Sequence, residues 1–338
     1  MEIDKGALER RYVFPPFSVL NANGGAWRTR KAMWLDCGLN SVEGRDSDMI
    51  FGAKRNNKNL AIKAQKEKEL GRGITWDEFA EYFPDAKEAE GTSIFDPNIV
   101  DILVNWFCPA GGTVIDPFAG GSVRGTVTSL LGRKYIGVDL SARQIDANIK
   151  QWGAVRDKVD WNGESPAWHN DDGHNLEDYV KGSANFIMSC PPYHDLEVYS
   201  DAPGDLSNME YDDFLVAYRA IIRRAVEKLE EDSFAAFVVG EIRHGKNGAY
   251  RNFVGDTVSA FVDAGTDYYN ELILYTPIGS LPIRVGAQFE ATRKIGKTHQ
   301  NILVFVKGDA RKAASKCVGA VKNFFTGNEV PALDDLFV

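Results

Sequence analysis

From Asp96 onward, two hydrophobic rhythms alternate along the chain. In DPNIVDILVNWF, Asp96 and Pro97 stand where a helix can start. Ile99, Val100, Leu103, Val104 and Phe107 recur at intervals that put them on one helical face. YDDFLVAYRAIIRRAVEKL repeats that spacing through Phe214, Tyr218, Ile221, Ile222, Val226 and Leu229. SARQIDANIKQW and FVGDTVSAFVDAG, the latter ended by Gly265, predict two further helices. Between them lie short apolar runs in GGTVIDP, KYIGVDL, ANFIMSC, FAAFVVGEI, YNELILYT and NILVFVKGD, which predict strands. Strands alternating with helices imply an α/β fold whose mainly parallel sheet is covered on both faces.

Residues 1 to about 90 lack this rhythm. They read as an irregular, mostly polar accessory region, with a short exposed helix in KRNNKNLAIKAQKEKELGRG and aromatic residues in FPPFSVLNANGGAWRTRKAMW. Trp27 and Trp34, seven residues apart, read as one face of a buried helix, with contact to nucleic acid as the competing assignment. The expected division is an N-terminal region 1–90, a catalytic domain 91–310 carrying an insert at 277–300, and a tail 311–338.

The 338 residues are 44% hydrophobic and 26% charged, which suits one large globular domain or two smaller ones. No apolar run approaches the roughly 20 residues needed to cross a bilayer, and MEIDKGALERRY lacks a signal peptide's apolar core. The expectation is a cytoplasmic protein without membrane contact. Cys37, Cys108, Cys190 and Cys317 form no CxxC pair, so neither a disulfide framework nor a metal site is indicated. A net charge of −9 argues against non-specific coating of nucleic acid. Residues 1–75 nevertheless carry 14 Lys and Arg against 9 Asp and Glu, so a basic face on an acidic protein stays open.

Candidate chemistry gathers at the strand ends, where open parallel sheets bind ligands. In DPFAGGSVRG, Asp116 ends a strand, and Gly120 and Gly121 permit a tight turn that backbone can bring close to a ligand. Asp139 ends the next strand 23 residues later, near the spacing at which an acidic side chain accepts ribose hydroxyls. A dinucleotide pyrophosphate favours a GxGxxG turn. This turn instead places a carboxylate beside the glycines, which suits a cationic ligand with a ribose, such as S-adenosylmethionine.

SCPPYHDLEVYS follows another strand. Prolines cannot join a ladder as donors, so Cys190-Pro191-Pro192-Tyr193 is a stiff segment with carbonyls of fixed direction followed by an aromatic platform. Holding an exocyclic amine for methylation needs acceptors for its two protons. A side chain at the first position and a backbone carbonyl would provide them. A target base within a duplex must also leave the stack.

These residues resemble the DNA amino-methyltransferases, which methylate adenine N6 or cytosine N4 and carry a D/N/S-P-P-Y/F/W signature. DPFAGGSVRG looks like that family's cofactor motif, GTSIFDP like the segment before it, and THQNILVFVKGD like its closing strand. PPFSVLNANGGAW, SCPPYHDLEVYSD and GKTHQNILVFVKGD are similar to a group of methylases found in bacteriophages. The resemblance implies a Rossmann-like S-adenosylmethionine-dependent methyltransferase fold with a C-terminal antiparallel strand. It implies cofactor binding by Thr92, Phe95, Asp116, Phe118, Gly120 and Asp139, with plain core packing as the other role for Phe95. In NDDGHNL, Asp171 would lie near the adenine amine, with Asp172 as the competitor. Double-stranded DNA is the implied partner, and protection from host restriction a role compatible with a phage source.

Cys190 departs from the signature, because a thiol accepts hydrogen bonds weakly where Asp, Asn or Ser is usual. Either Ser189 or Cys190 would supply the side-chain acceptor, and the choice of adenine or cytosine stays open. Nucleophilic attack by Cys190 on a pyrimidine ring is a further reading, although the enzymes that do this use the reverse Pro-Cys order. Phosphate contacts would fall to Arg284, Arg293, Lys294 and Lys297 in the basic insert. RNA as the polymer, and a homologue that binds without catalysis, are the alternatives.

Overall fold

The computed structural model describes residues 5–39, 57–83, 95–193, 206–244, 247–279 and 281–325. It contains one eight-stranded sheet: β1 (Val19–Asn21), β2 (Thr113–Asp116), β3 (Lys134–Asp139), β4 (Ala167–Asn170), β5 (Ala184–Ser189), β6 (Leu229–Val239), β7 (Asp267–Tyr275) and β8 (His299–Lys307). The order across the sheet is β1-β7-β8-β6-β5-β2-β3-β4. β8 runs antiparallel to both of its neighbours, and every other pairing is parallel. This is the expected Rossmann-like α/β architecture with an antiparallel C-terminal strand. Strand order reverses between β2 and β5, so the switch point lies where the Asp116 and Cys190 segments leave the sheet.

The central strands are apolar on both sides because both sides are covered. Along β6, Phe234, Ala236 and Val238 enter one core, while Ala235, Phe237 and Val239 enter the other. β8 divides in the same way, with Ile302, Val304 and Val306 on one face and Leu303 and Phe305 on the other. The first core is covered by helices Pro97–Phe107, Val123–Leu130 and Ala142–Lys158, the second by Tyr211–Lys228 and Phe253–Asp263. Asp96 caps the first of these by accepting from the Asn98 amide at 3.0 Å, and Pro97 occupies the opening turn, where its missing N–H costs nothing.

The N-terminal region is more ordered than its sequence suggests. It forms helices Lys5–Tyr12, Gly25–Asp36, Asn57–Leu70 and Trp76–Tyr82, and β1 extends the sheet beside β7. Trp27 and Trp34 are 3% and 0% exposed, which assigns them to the core and removes them as nucleic-acid contacts. Their helix is locked to Pro97–Phe107 by the buried Asp101, which accepts from Arg30 at 2.5 Å, Trp34 at 2.9 Å and Asn105 at 2.9 Å. Phe324 and Phe325, in the expected tail, pack on Trp34 with ring centroids at 5.2 and 4.7 Å. Side chains from Phe14 to Leu39, with Phe324 and Phe325 at the start of the tail, therefore share the core of the sheet rather than forming appendages. The basic insert is also partly regular, with a helix at Leu281–Thr292.

Candidate active site at the switch point

The glycine turn rests on a buried polar floor. Asp116 is 0% exposed, and its carboxylate accepts from Arg124 Nε at 2.6 Å, Tyr135 Oη at 2.7 Å, Ser189 Oγ at 2.5 Å and the Phe118 amide at 3.2 Å. Its charge is thus matched inside the protein rather than facing the cleft as a free anion for a cationic ligand, the task anticipated from its place in the motif. Burial opposes the Arg124 charge, but the ion pair with Asp116, aided by Tyr135 and Cys190 nearby, more than offsets it, and the guanidinium is held firmly protonated. Burial and then Asp116 push the Tyr135 phenol far above its ordinary range, so it stays a donor.

Arg124 also donates to the carbonyls of Phe118 and Ala119, fixing the turn from below. Its guanidinium lies 4.9 Å from the Phe95 ring centroid, so half-buried Phe95 covers the floor network as well as packing on the core. Phe118 leans the other way, 5.9 Å from Tyr218 between ring centroids.

Above the floor, Gly120 has φ +51°, a left-handed conformation that glycine adopts without strain. Its N–H donates to Asp139 at 2.8 Å, and its carbonyl accepts from Asn148 at 2.7 Å. A Cβ built there would stand in ordinary contact with Arg124 Nη2 at 3.7 Å and the Phe118 carbonyl at 3.9 Å. Asp139, at the end of β3 and only partly buried, also accepts from the Ser141 amide at 2.9 Å. Desolvation raises its carboxyl above the ordinary value despite those two amide bonds.

β4, four residues long and not anticipated from the sequence, brings Asp171 alongside, the Asp171 amide donating to the Asp139 carbonyl at 3.1 Å. Side-chain bonds from Asn175 at 2.9 Å and Tyr179 at 2.7 Å, with the Asp172 amide, hold the Asp171 carboxyl below its usual range. Asp172 instead caps a short 3-10 turn through the His174 amide at 2.8 Å. Gly173 in that turn packs so tightly on the Pro117 carbonyl that any side chain would collide with backbone, which ties the Asp171 loop to the Asp116 turn.

Across the switch point, β5 delivers Cys190, Pro191, Pro192 and Tyr193 to the same edge. Ser189 is fully buried and donates to Asp116, which leaves Cys190 as the side chain at the motif's first position. Cys190 is a half-buried thiol in no disulfide, and Pro191 is buried. Tyr193 is half-buried, accepts from Gln300 Nε2 at 3.1 Å and stands 3.7 Å from where a Cβ on Gly240 would be. Lys297 closes this side, with its Nζ 3.9 Å from the same point and donating to Asn301 Oδ1 at 3.3 Å. Burial lowers the Lys297 ammonium against the pull of Glu241 and Glu271. Lys297 therefore belongs to the edge near Tyr193, whereas exposed Arg293 and half-buried Lys294 sit further along. Thr92 and the side chain of Arg284 lie outside the described residues, as do positions 194–200.

Sequence reasoning missed Arg124, Tyr135, Gly173 and Gln300. Arg124 left a signal, since a cation on the inward side of a helix right behind the glycine turn needs a buried partner. Among the described residues, no cluster of three or more His, Cys, Asp or Glu could hold a metal, and no helix is long and apolar enough to cross a membrane.

No family model and no curated relative matches the chain. Among solved structures, it is similar to TrmN from Thermus thermophilus, at 14% identity over 63% of this chain and 49% of that one, with a TM-score of 0.38. It thus spans about half the length of that protein. It is also similar to magnesium protoporphyrin IX methyltransferase from Synechocystis PCC 6803 with bound SAM, at 12% identity over 74% and 96% of the two chains, TM-score 0.40. An rRNA methylase from Streptococcus thermophilus matches at 12% identity over 64% and 100%, TM-score 0.39. Likenesses this distant assign none of those activities to the chain.

Proposed function

We propose that the protein is an S-adenosylmethionine-dependent DNA methyltransferase that modifies the exocyclic amine of a flipped adenine or cytosine. The observation that carries this reading is the adjacency of two segments: the Gly120 turn with Asp139 beside it, and Cys190-Pro191-Pro192-Tyr193 on the neighbouring strand end. The donor set fits the cofactor, since Asp139 keeps carboxylate lone pairs beyond its two amide bonds.

Asp139 would accept the ribose hydroxyls, and Gly120, with the turn residue Phe118, would line the adenosine side. When bound, S-adenosylmethionine supplies a methyl group already activated by its sulfonium charge, so no covalent enzyme intermediate is required. The protein's contribution is orientation. Tyr193 offers its face to the base, while Cys190 and the carbonyls of the proline segment accept from the amine and aim its lone pair. Asp171, held ionised beside Asp139, would accept from the adenosine amine.

The test is mass spectrometry of nucleosides from duplex DNA and from RNA incubated with protein and methyl-labelled cofactor. Label on N6-methyladenine or N4-methylcytosine in DNA, lost in Tyr193→Ala, is the expected result. Label at cytosine carbon 5 would make Cys190 a nucleophile, label only in RNA would change the polymer, and none at all would leave a binding protein.

A further inference from the structure

A polar cavity of about 350 Å³ lies between the antiparallel bridge Arg243–Tyr250 and the segment Thr292–Ile295. Its polar lining is Arg243, Asn247, Tyr250, Thr292, Arg293 and Lys294, with no carboxylate. Among the described residues, none of the three cations forms an ion pair. On a chain of net charge −9, three cations thus line one cavity that carries no carboxylate.

The cations are also held in place. The Arg243 guanidinium stacks 4.2 Å from the Tyr250 ring centroid and donates to the Gly248 carbonyl at 2.8 Å. Lys294 lays its Cε and Nζ against Gly248. Arg293 has a left-handed backbone, φ +58°, and its guanidinium lies 5.1 Å from the Phe289 ring centroid. A non-glycine residue held in that region is strained, and such strain persists where the surroundings impose it.

Both walls lead to the target edge. Arg243 follows Gly240 by three residues and Lys294 precedes Lys297 by three, and Gly240 and Lys297 flank Tyr193. We infer that this cavity takes a backbone phosphate of the DNA strand that carries the target base, close to the nucleotide facing Tyr193. The inference rests on the DNA-methyltransferase reading for the identity of the polymer. A phosphodiester suits two guanidinium groups and an ammonium without any acidic partner, and half-exposed Tyr250 offers a sugar or base a flat neighbour.

The experiment is fluorescence anisotropy with a labelled DNA duplex and the full chain over a series of NaCl concentrations. It compares the wild type with Lys294→Ala, Arg293→Gly and Lys181→Ala; Lys181 is exposed and precedes β5 at the opposite end of the sheet. Glycine keeps the left-handed backbone of residue 293, so Arg293→Gly removes the charge without adding strain. Lys294→Ala and Arg293→Gly should each weaken binding about 3- to 10-fold and reduce the slope of log affinity against log salt by about 1. Lys181→Ala should do neither.

Unchanged affinity and slope in both cavity variants, with their circular dichroism intact, would overturn the site. Inorganic phosphate protecting the wild type but not Lys294→Ala from thermal unfolding, with DNA affinity unaffected, would make it a free-anion pocket instead. Tighter, Lys294-dependent binding of RNA would replace DNA as the polymer. Lys294-dependent DNA binding without any methyl transfer would keep the phosphate site and sink the methyltransferase reading alone.

Discussion

Asp116 and Tyr193 stand at the ends of neighbouring strands, yet their surroundings follow opposite rules. The Asp116 carboxylate is engaged within the protein: Arg124, Tyr135 and Ser189 close on a group that sees no solvent. Around Tyr193, half-buried Gln300 donates to the phenol at 3.1 Å and half-buried Lys297 donates at 3.3 Å to Asn301, which is itself buried and donates to Glu271 at 2.6 Å. A floor built the first way fixes shape, because a buried ion pair is costly to break even where its net contribution to stability is small. A rim built the second way can exchange partners with a substrate. Two residues in equally suggestive motifs therefore differ, Asp116 supporting the turn and Tyr193 having, in the proposed function, the task of facing the ligand.

The strongest way to break this comparison is Arg124→Met. It strands the Asp116 carboxylate in the core and should cost about 3–5 kcal/mol of folding stability, read by urea denaturation. A loss under about 1 kcal/mol would mean that the floor does not depend on the pair. Tyr135→Phe removes only one bond to that carboxylate and should cost about 1.5–3 kcal/mol in the same assay.

On the rim the pattern should invert. Tyr193→Ala should lower kcat/KM for DNA by about 5- to 150-fold, the equivalent of about 1–3 kcal/mol of base stacking, while moving the urea midpoint little. A large stability loss with unchanged turnover would return Tyr193 to the floor.

The smallest effect expected is a pH dependence. Burial raises the Asp139 carboxyl above 3.8, whereas hydrogen bonds from Asn175 and Tyr179 lower that of Asp171. A raised folded-state pKa means that the stability linked to Asp139 is present below its unfolded value and lost as pH rises through the folded one. The linkage for Asp171 has the opposite sign, its contribution being lost only as pH falls below 3.8. As pH falls from 7, Asp139 takes its proton first, and calorimetry should show affinity for S-adenosylhomocysteine declining in a one-proton step before Asp171 titrates. An affinity that stays flat down to pH 3.8 would place the ribose contact elsewhere.

The central strands and helices were legible because the strands are short continuous apolar runs and the helices repeat apolar residues every three or four positions. β1 and β4 were not, since three and four residues such as VLN and AWHN are too short to show a period. Helix Trp76–Tyr82 could have been found: Thr75 and Glu78 form a reciprocal capping box at its start. The buried N-terminal helix was harder, because Trp34 and Arg30 reach their partner Asp101 about seventy positions away, a pairing that local spacing does not reveal. At the site, the strand-end position of Asp139 and the turn at Gly120, which the structure joins by one hydrogen bond, were legible because both are local properties. The engagement of Asp116 was not, because Tyr135 and Ser189 reach it from other strands.

The most direct measurement is a crystal structure of the protein with S-adenosylhomocysteine. The account predicts density over Gly120, with the ribose on Asp139 and the sulfur side directed towards Cys190 and Pro191, and the Asp116–Arg124 pair unchanged beneath. Ligand at another edge of the sheet, or a ligand that reaches Asp116 by displacing Arg124, would contradict it.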